Sequence, residues 1–139
     1  MTNLNNIYNS DVSVDGHDLQ EMFLLVARLF ECHVDSINAL NVFPVPDGDT
    51  GVNMFITLRA VAKQAESIDS NSAGDVAEVM AKGALFEARG NSGVILCQFF
   101  EGISKGLNGL RVFSSSEFAS ALRYASDYAY AAVSEPVEG

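Results

Sequence analysis

Positive charge is scarce in this sequence. Eight lysines and arginines stand against 18 aspartates and glutamates, a formal net charge of −10. So acidic a chain repels nucleic acid and anionic membrane, and neither is an expected non-specific partner. Between Arg28 and Arg59 there is no lysine or arginine, so a phosphate bound there has no basic cluster to hold it. Long hydrophobic runs are missing too. None exceeds six residues, the length of Met22 to Ala27, which is far short of a membrane span. The first ten residues carry no base and no apolar core, and do not read as a signal peptide. Cysteine is limited to Cys32 and Cys97. Each lies in an apolar helical pattern, so both are expected as buried, reduced thiols, which fits a cytoplasmic protein. The two histidines, His17 and His33, have no second ligand at helical spacing and read as surface or capping residues. Alternating strand patterns, internal repeats and low-complexity tracts are absent.

What is present is helical periodicity. The chain has 139 residues, 48% of them apolar. That suits one domain burying roughly 70% of the surface of its unfolded chain. Residues 1–14 form a polar, asparagine-rich arm, and 15–139 the domain. Leu19, Met22, Phe23, Val26, Phe30, Ile37 and Leu40 recur at helical spacing and predict one helix over 18–40 with these residues inward. A second helix over 50–67 carries Met54, Leu58, Val61, Ala62 and Ala65. A third, capped by Ser72 or Asp75, runs to about Ala88 with Val76, Val79, Met80, Gly83 and Ala84 inward. Its small residues imply close packing. In Ala88-Arg89-Gly90-Asn91-Ser92-Gly93, Gly90 is expected to end that helix and Ser92 to cap the next, which carries Val94, Ile95, Cys97, Phe99 and Ile103. After a loop over 105–113, Ser114 and Glu117 make a capping box for a last helix ended by Pro136. The fold class is therefore all-α: an antiparallel bundle with short loops. In such a bundle the second and fourth helices start at the same end, so the two loops that precede them can converge on one ligand.

The stretch from Asn41 to Asn53 (Asn-Val-Phe-Pro-Val-Pro-Asp-Gly-Asp-Thr-Gly-Val-Asn) is the most informative part of the chain. Two of the chain's three prolines, Pro44 and Pro46, stiffen it and keep it out of helix. Asp47 and Asp49 follow, one glycine apart. Two carboxylates held about 5 Å apart repel by ~1–3 kcal/mol, which a cation relieves, and hard oxygen ligands suit Mg²⁺ or Ca²⁺. Thr50, Gly51 and Asn53 then open a helix whose free N–H groups attract phosphate. Ordinary turn-and-cap chemistry explains the same residues, and both readings stand at this level. An EF-hand starting at Asp47 is excluded: its sixth and twelfth positions hold Val52 and Leu58 rather than glycine and glutamate. Gly90 to Gly93 is likewise either helix punctuation or a second phosphate- or ribose-facing helix start. It is not a P-loop.

Taken as a run, Asn38-Ala39-Leu40-Asn41-Val42-Phe43-Pro44-Val45-Pro46-Asp47-Gly48-Asp49-Thr50-Gly51-Val52-Asn53-Met54 resembles the signature of the dihydroxyacetone kinase L-type (DhaL) domain. It is most similar to the N-terminal, ATP-binding domain of the kinase component of bacterial fatty acid kinase. Ala88 to Leu96 resembles the family's second motif, and Glu135 to Gly139 the opening of its third. The resemblance implies an all-α barrel of antiparallel helices with Mg-ATP at one end. Asp47 and Asp49 would be the catalytic residues and the ligands of two Mg²⁺ ions, with Asn41 near the place of a third ligand. Thr50, Gly51, Val52 and Asn53 would bind phosphate, with Asn91, Ser92 and Gly93 as the second nucleotide loop. The family domain continues past Gly139 with further helices and another glycine loop, so a domain incomplete at its C-terminus is expected here. The implied function is a two-component kinase passing the ATP γ-phosphoryl to a fatty-acid carboxylate held by a DegV-type fatty-acid-binding partner. Glycerone kinase activity and a non-catalytic interaction module that keeps the fold are the alternatives. A metal-dependent phosphatase using the same carboxylates lacks a nucleophile or base.

Overall fold

A computed structural model describes residues 12–43 and 45–136. Among them are six helices: α1 (Gly16–Glu31), α2 (Val34–Leu40), α3 (Thr50–Ser67), α4 (Ala73–Glu87), α5 (Gly90–Leu107) and α6 (Ser115–Ala131). The all-α expectation holds. The only β-type pairing among the described residues is an isolated antiparallel bridge, Val14 to Phe113, bonded in both directions at 2.9 Å. The polar arm expected over 1–14 lies mostly outside the described residues, as does Pro44.

The core forms where α3, α4 and α5 meet. Val61, Ala65, Val76, Met80, Phe100, Ile103 and Leu107 are buried to within 1%. Phe23 of α1 meets Phe100 edge-on at 5.3 Å. Small residues set how closely the helices approach. A Cβ on Gly83 would stand 2.8 Å from the Ala60 carbonyl oxygen, so α4 lies against the backbone of α3 as its glycine and alanines implied. Gly102 and Gly106 do the same for α5 and α6, where an added Cβ would come within 2.4 Å of the Cα atoms of Ala125 and Ala121.

Several expectations change in detail. The single helix expected over 18–40 is two, broken at Cys32 and His33. His33 sits at φ −110°, ψ 0°, outside the helical region, and the separate helix α2 packs on α3. Beyond that break Ile37 stays half-buried but Leu40 is 78% exposed, and within α1 Met22 and Val26 also face outward. Leu19 is buried as expected, and Ala27 joins it on the buried face. Cys97 is buried but Cys32 is exposed. Helix α6 stops at Ala131, before Pro136, while its capping box of Ser114 and Glu117 is present. Ser72 caps α4. Ser92 is not a cap: α5 begins at Gly90, whose φ of +63° suits glycine, with Arg89 as the N-cap residue.

Candidate functional site

Helices α3 and α5 start at the same end of the bundle and touch there. The Ser92 hydroxyl donates to the Thr50 carbonyl at 3.3 Å. A Cβ on Gly90 would meet the Asn53 carboxamide at 2.6 Å, and one on Gly93 would stand 3.1 Å from Thr57 Oγ1. Thr57 is fully buried, its hydroxyl bonded to the Asn53 carbonyl at 3.1 Å. The glycines of the second loop therefore let α5 approach the first turns of α3. The structure thus brings Thr50, Gly51, Asn53, Ser92 and Gly93 together, while Val52 and Asn91 lie on the exposed side.

These two helix starts differ from the other long ones. At α1, α4 and α6 the N-cap side chain meets one first-turn donor: Asp15, Ser72 and Ser114 accept from the N–H groups of Asp18, Asp75 and Glu117 from an extended backbone. At α4 the Ala73 and Gly74 N–H groups also donate to the carbonyls of Arg111 and Leu110. Neither α3 nor α5 has a cap from its own N-cap side chain. Among the described residues no acceptor meets the N–H groups of Thr50 and Gly51, or those of Gly90, Asn91 and Ser92. Such groups leave a partial positive charge for an anion.

Asp47 is exposed and Asp49 half-buried. Among the described residues neither carboxylate has a hydrogen bond or ion pair. Gly48 takes φ +64° between them, a conformation cheap only for glycine. The loop is held by asparagines. Asn41 accepts from the Asp49 N–H through Oδ1 and donates to the Val45 carbonyl through Nδ2, both at 3.1 Å. Asn38 accepts from the Val52 N–H at 3.1 Å. Asn41 Oδ1 retains a second lone pair. No group of three or more His, Cys, Asp or Glu is placed for a metal among the described residues. Two free carboxylates do fit Mg²⁺, which is commonly held by one or two of them together with waters and phosphate oxygens.

Asn38 and Arg89 have parts here that local sequence pattern does not assign. Asn38 lies in the last turn of α2, three residues before Asn41 at the start of the aspartate loop, and that proximity is the local signal of its role. Arg89 leads directly into the second loop, its guanidinium 3.9 Å from the Glu87 carboxylate.

An all-α scaffold offering two helix starts with free first-turn N–H groups beside two unpaired carboxylates has the character of a phosphate-ligand domain. Comparison with known families agrees: the DAK2 domain matches residues 44–139, and the chain belongs to it. The family is kinase-related, and its members bind ADP or ATP. Protein YloV of Bacillus subtilis is 45% identical over 127 residues, covering 91% of this chain and 23% of that protein. Uncharacterized proteins of Staphylococcus saprophyticus and Staphylococcus epidermidis are 41% and 39% identical over 126 residues, with the same coverage. The chain thus spans about a quarter of the length of the curated relatives it matches.

Proposed function

We propose that this chain is the Mg-ATP-binding part of a two-component kinase that passes the γ-phosphoryl group to an acceptor held by another protein. One observation carries the reading: the unsatisfied N–H groups of α3 and α5 converge, tied by the Ser92 to Thr50 bond, next to the free carboxylates of Asp47 and Asp49. Phosphoryl transfer needs positioning and charge stabilisation rather than covalent work by the protein. In this reading the N–H groups of Thr50, Gly51, Gly90, Asn91 and Ser92 bind phosphate oxygens, and Gly93 keeps the second loop low. Asp47 and Asp49, with the remaining lone pair of Asn41, hold the divalent ions. Mg²⁺ bound there supplies the positive charge that the acidic chain lacks. Asn53 and Val52 set the mouth of the site.

The acceptor we assign is a fatty-acid carboxylate. It is ionised at pH 7 and attacks without a general base. Neither loop contains a histidine, cysteine or lysine. The carboxylate oxygen bonds to the γ-phosphorus, the bond to the β–γ bridging oxygen breaks, and acyl phosphate and ADP result. Leu40, Val42 and Phe43, 78%, 70% and 86% exposed, make an apolar rim beside the aspartates. Such a rim suits a DegV-type partner presenting the acceptor. In a calorimetric titration with Mg-ATP, wild type is expected to give saturable heat and the Asp47→Ala/Asp49→Ala double variant none. Equal heats in the two would overturn the assignment.

A further inference from the structure

Asp49 occupies the N-cap position of α3, where an aspartate would ordinarily turn its carboxylate onto the N–H two or three residues ahead. It does not. The donor it would serve is the Val52 N–H, and that donor is already bonded at 3.1 Å to Asn38 Oδ1, fourteen residues back on α2. The backbone records the same exchange. The three N-cap residues that cap their own helices, Asp15, Ser72 and Ser114, have ψ of −174°, 116° and 174°. Asp49 has ψ of 2°, held there while its own N–H donates to Asn41. Gly51 makes the arrangement possible: a Cβ there would lie 2.9 Å from Asn38 Oδ1 and 2.4 Å from the Val34 carbonyl, so only glycine lets α2 reach this close.

We propose that Asn38 is a positioning residue that caps α3 from another helix and thereby releases the Asp49 carboxylate for a divalent cation. The proposal rests on the reading of Asp47 and Asp49 as cation ligands. Without Asn38 the Val52 N–H is vacant, and the carboxylate with the shortest path to it is that of Asp49. Cation binding then has to pull Asp49 off its own helix.

Four proteins test this by calorimetry with Mg-ATP: wild type, Asn38→Ala, Asp49→Ala and the double variant, with Asn38→Asp as a rescue that keeps an acceptor oxygen. Asn38→Ala is expected to weaken binding about fivefold, the equilibrium factor of a typical helix cap. The double variant is expected to bind no more weakly than Asp49→Ala alone, and Asn38→Asp to bind within about twofold of wild type, since the cap survives. If Asn38→Ala weakened binding by the same factor with and without Asp49, Asn38 would be an ordinary structural prop and the proposal would fail. Normal binding by Asn38→Ala beside weak binding by Asp49→Ala would overturn the proposal but leave the functional reading intact. Normal binding by Asp49→Ala would overturn both. In case Asn38→Ala does not fold, amide exchange in wild type gives a second measure. The Val52 amide is expected to be protected both before and after Mg-ATP is added, and protection that arises only on addition contradicts a standing Asn38 cap.

Discussion

Gly51 shows how little room the start of α3 allows. Its missing Cβ is what lets the Val34 carbonyl and Asn38 sit against the helix. Gly51→Ala forces backbone against backbone, and overpacking of this kind costs about 1–3 kcal/mol. The expected outcome is a lower urea midpoint together with weaker Mg-ATP binding, since the same shift breaks the Asn38 bond. Gly109→Ala is the contrasting case. Nothing lies within 4 Å of its would-be Cβ, and only the φ of +75° resists the change, so it is expected to lower stability without touching ligand binding. The two thiols also separate at this scale. Burial pushes the Cys97 thiol up, with the Glu101 carboxylate adding to it, whereas Cys32 is exposed. Intact-mass analysis after brief treatment of the native protein with a maleimide is expected to show one label, on Cys32. Because Cys97 holds its proton more tightly when folded, the unfolded state ionises first as pH rises. Its contribution to stability is whole below the ordinary thiol range and is lost above it. A steeper alkaline fall in the urea midpoint of wild type than of Cys97→Ala checks that sign.

At the scale of the element, capping divides the helices into two kinds. Helices α1, α4 and α6 are capped at their starts by their own N-cap side chains, and the caps of α4 and α6 read directly from local sequence. The Ser114 and Glu117 pair is one example, and Ser114→Ala is expected to cost about 1 kcal/mol in urea unfolding without altering Mg-ATP binding. Helix α3 is closed by neighbours at both ends: Asn38 at the start, and Gln20 of α1 at the finish, whose Nε2 donates to the carbonyls of Ala65 and Ile68 at 2.8 and 2.6 Å. Such caps come from residues far off in the chain, so no window of sequence around α3 contains them. The same limit applies to the break at His33. The apolar spacing from Leu19 to Leu40 is continuous enough for one helix, and only the packing of α2 against α3 reveals the turn. Ser92 departs from expectation for a related reason. A serine before an apolar run is a normal cap, but here its hydroxyl crosses to Thr50 instead.

For the whole molecule, net charge decides how a polyanion is held. With −10 overall, free ATP is repelled, and the helix N–H groups alone offer only fractional charges. Removing divalent cations with EDTA is therefore expected to abolish ATP binding rather than weaken it, while the melting temperature without nucleotide changes little. A melting temperature that fell equally with EDTA would point to a structural metal instead. The apolar rim acts at this scale as well. Phe43→Ser is expected to leave Mg-ATP binding within about twofold of wild type, as surface substitutions usually do. It is also expected to reduce phosphoryl transfer when a fatty-acid-binding partner is supplied, which a coupled assay with that partner measures.

Periodicity, charge and local caps suffice to specify the helical class, the extent of α3, the start of α4 and α6, and the acidic loop with its two carboxylates. These depend on residues within a turn or two of one another, where the chain has few alternatives. The meeting of the two loops followed from helix count and direction. What only tertiary structure decided is which polar groups remain free. Asp49 has the sequence of a helix cap and the surroundings of a ligand. The difference lies with Asn38 and Asn41, which take up the nearby backbone donors across gaps of fourteen and eight residues. A hydrogen bond between distant residues leaves no periodic trace in sequence, and so the chemistry of this site becomes visible only once α2 is folded back against α3.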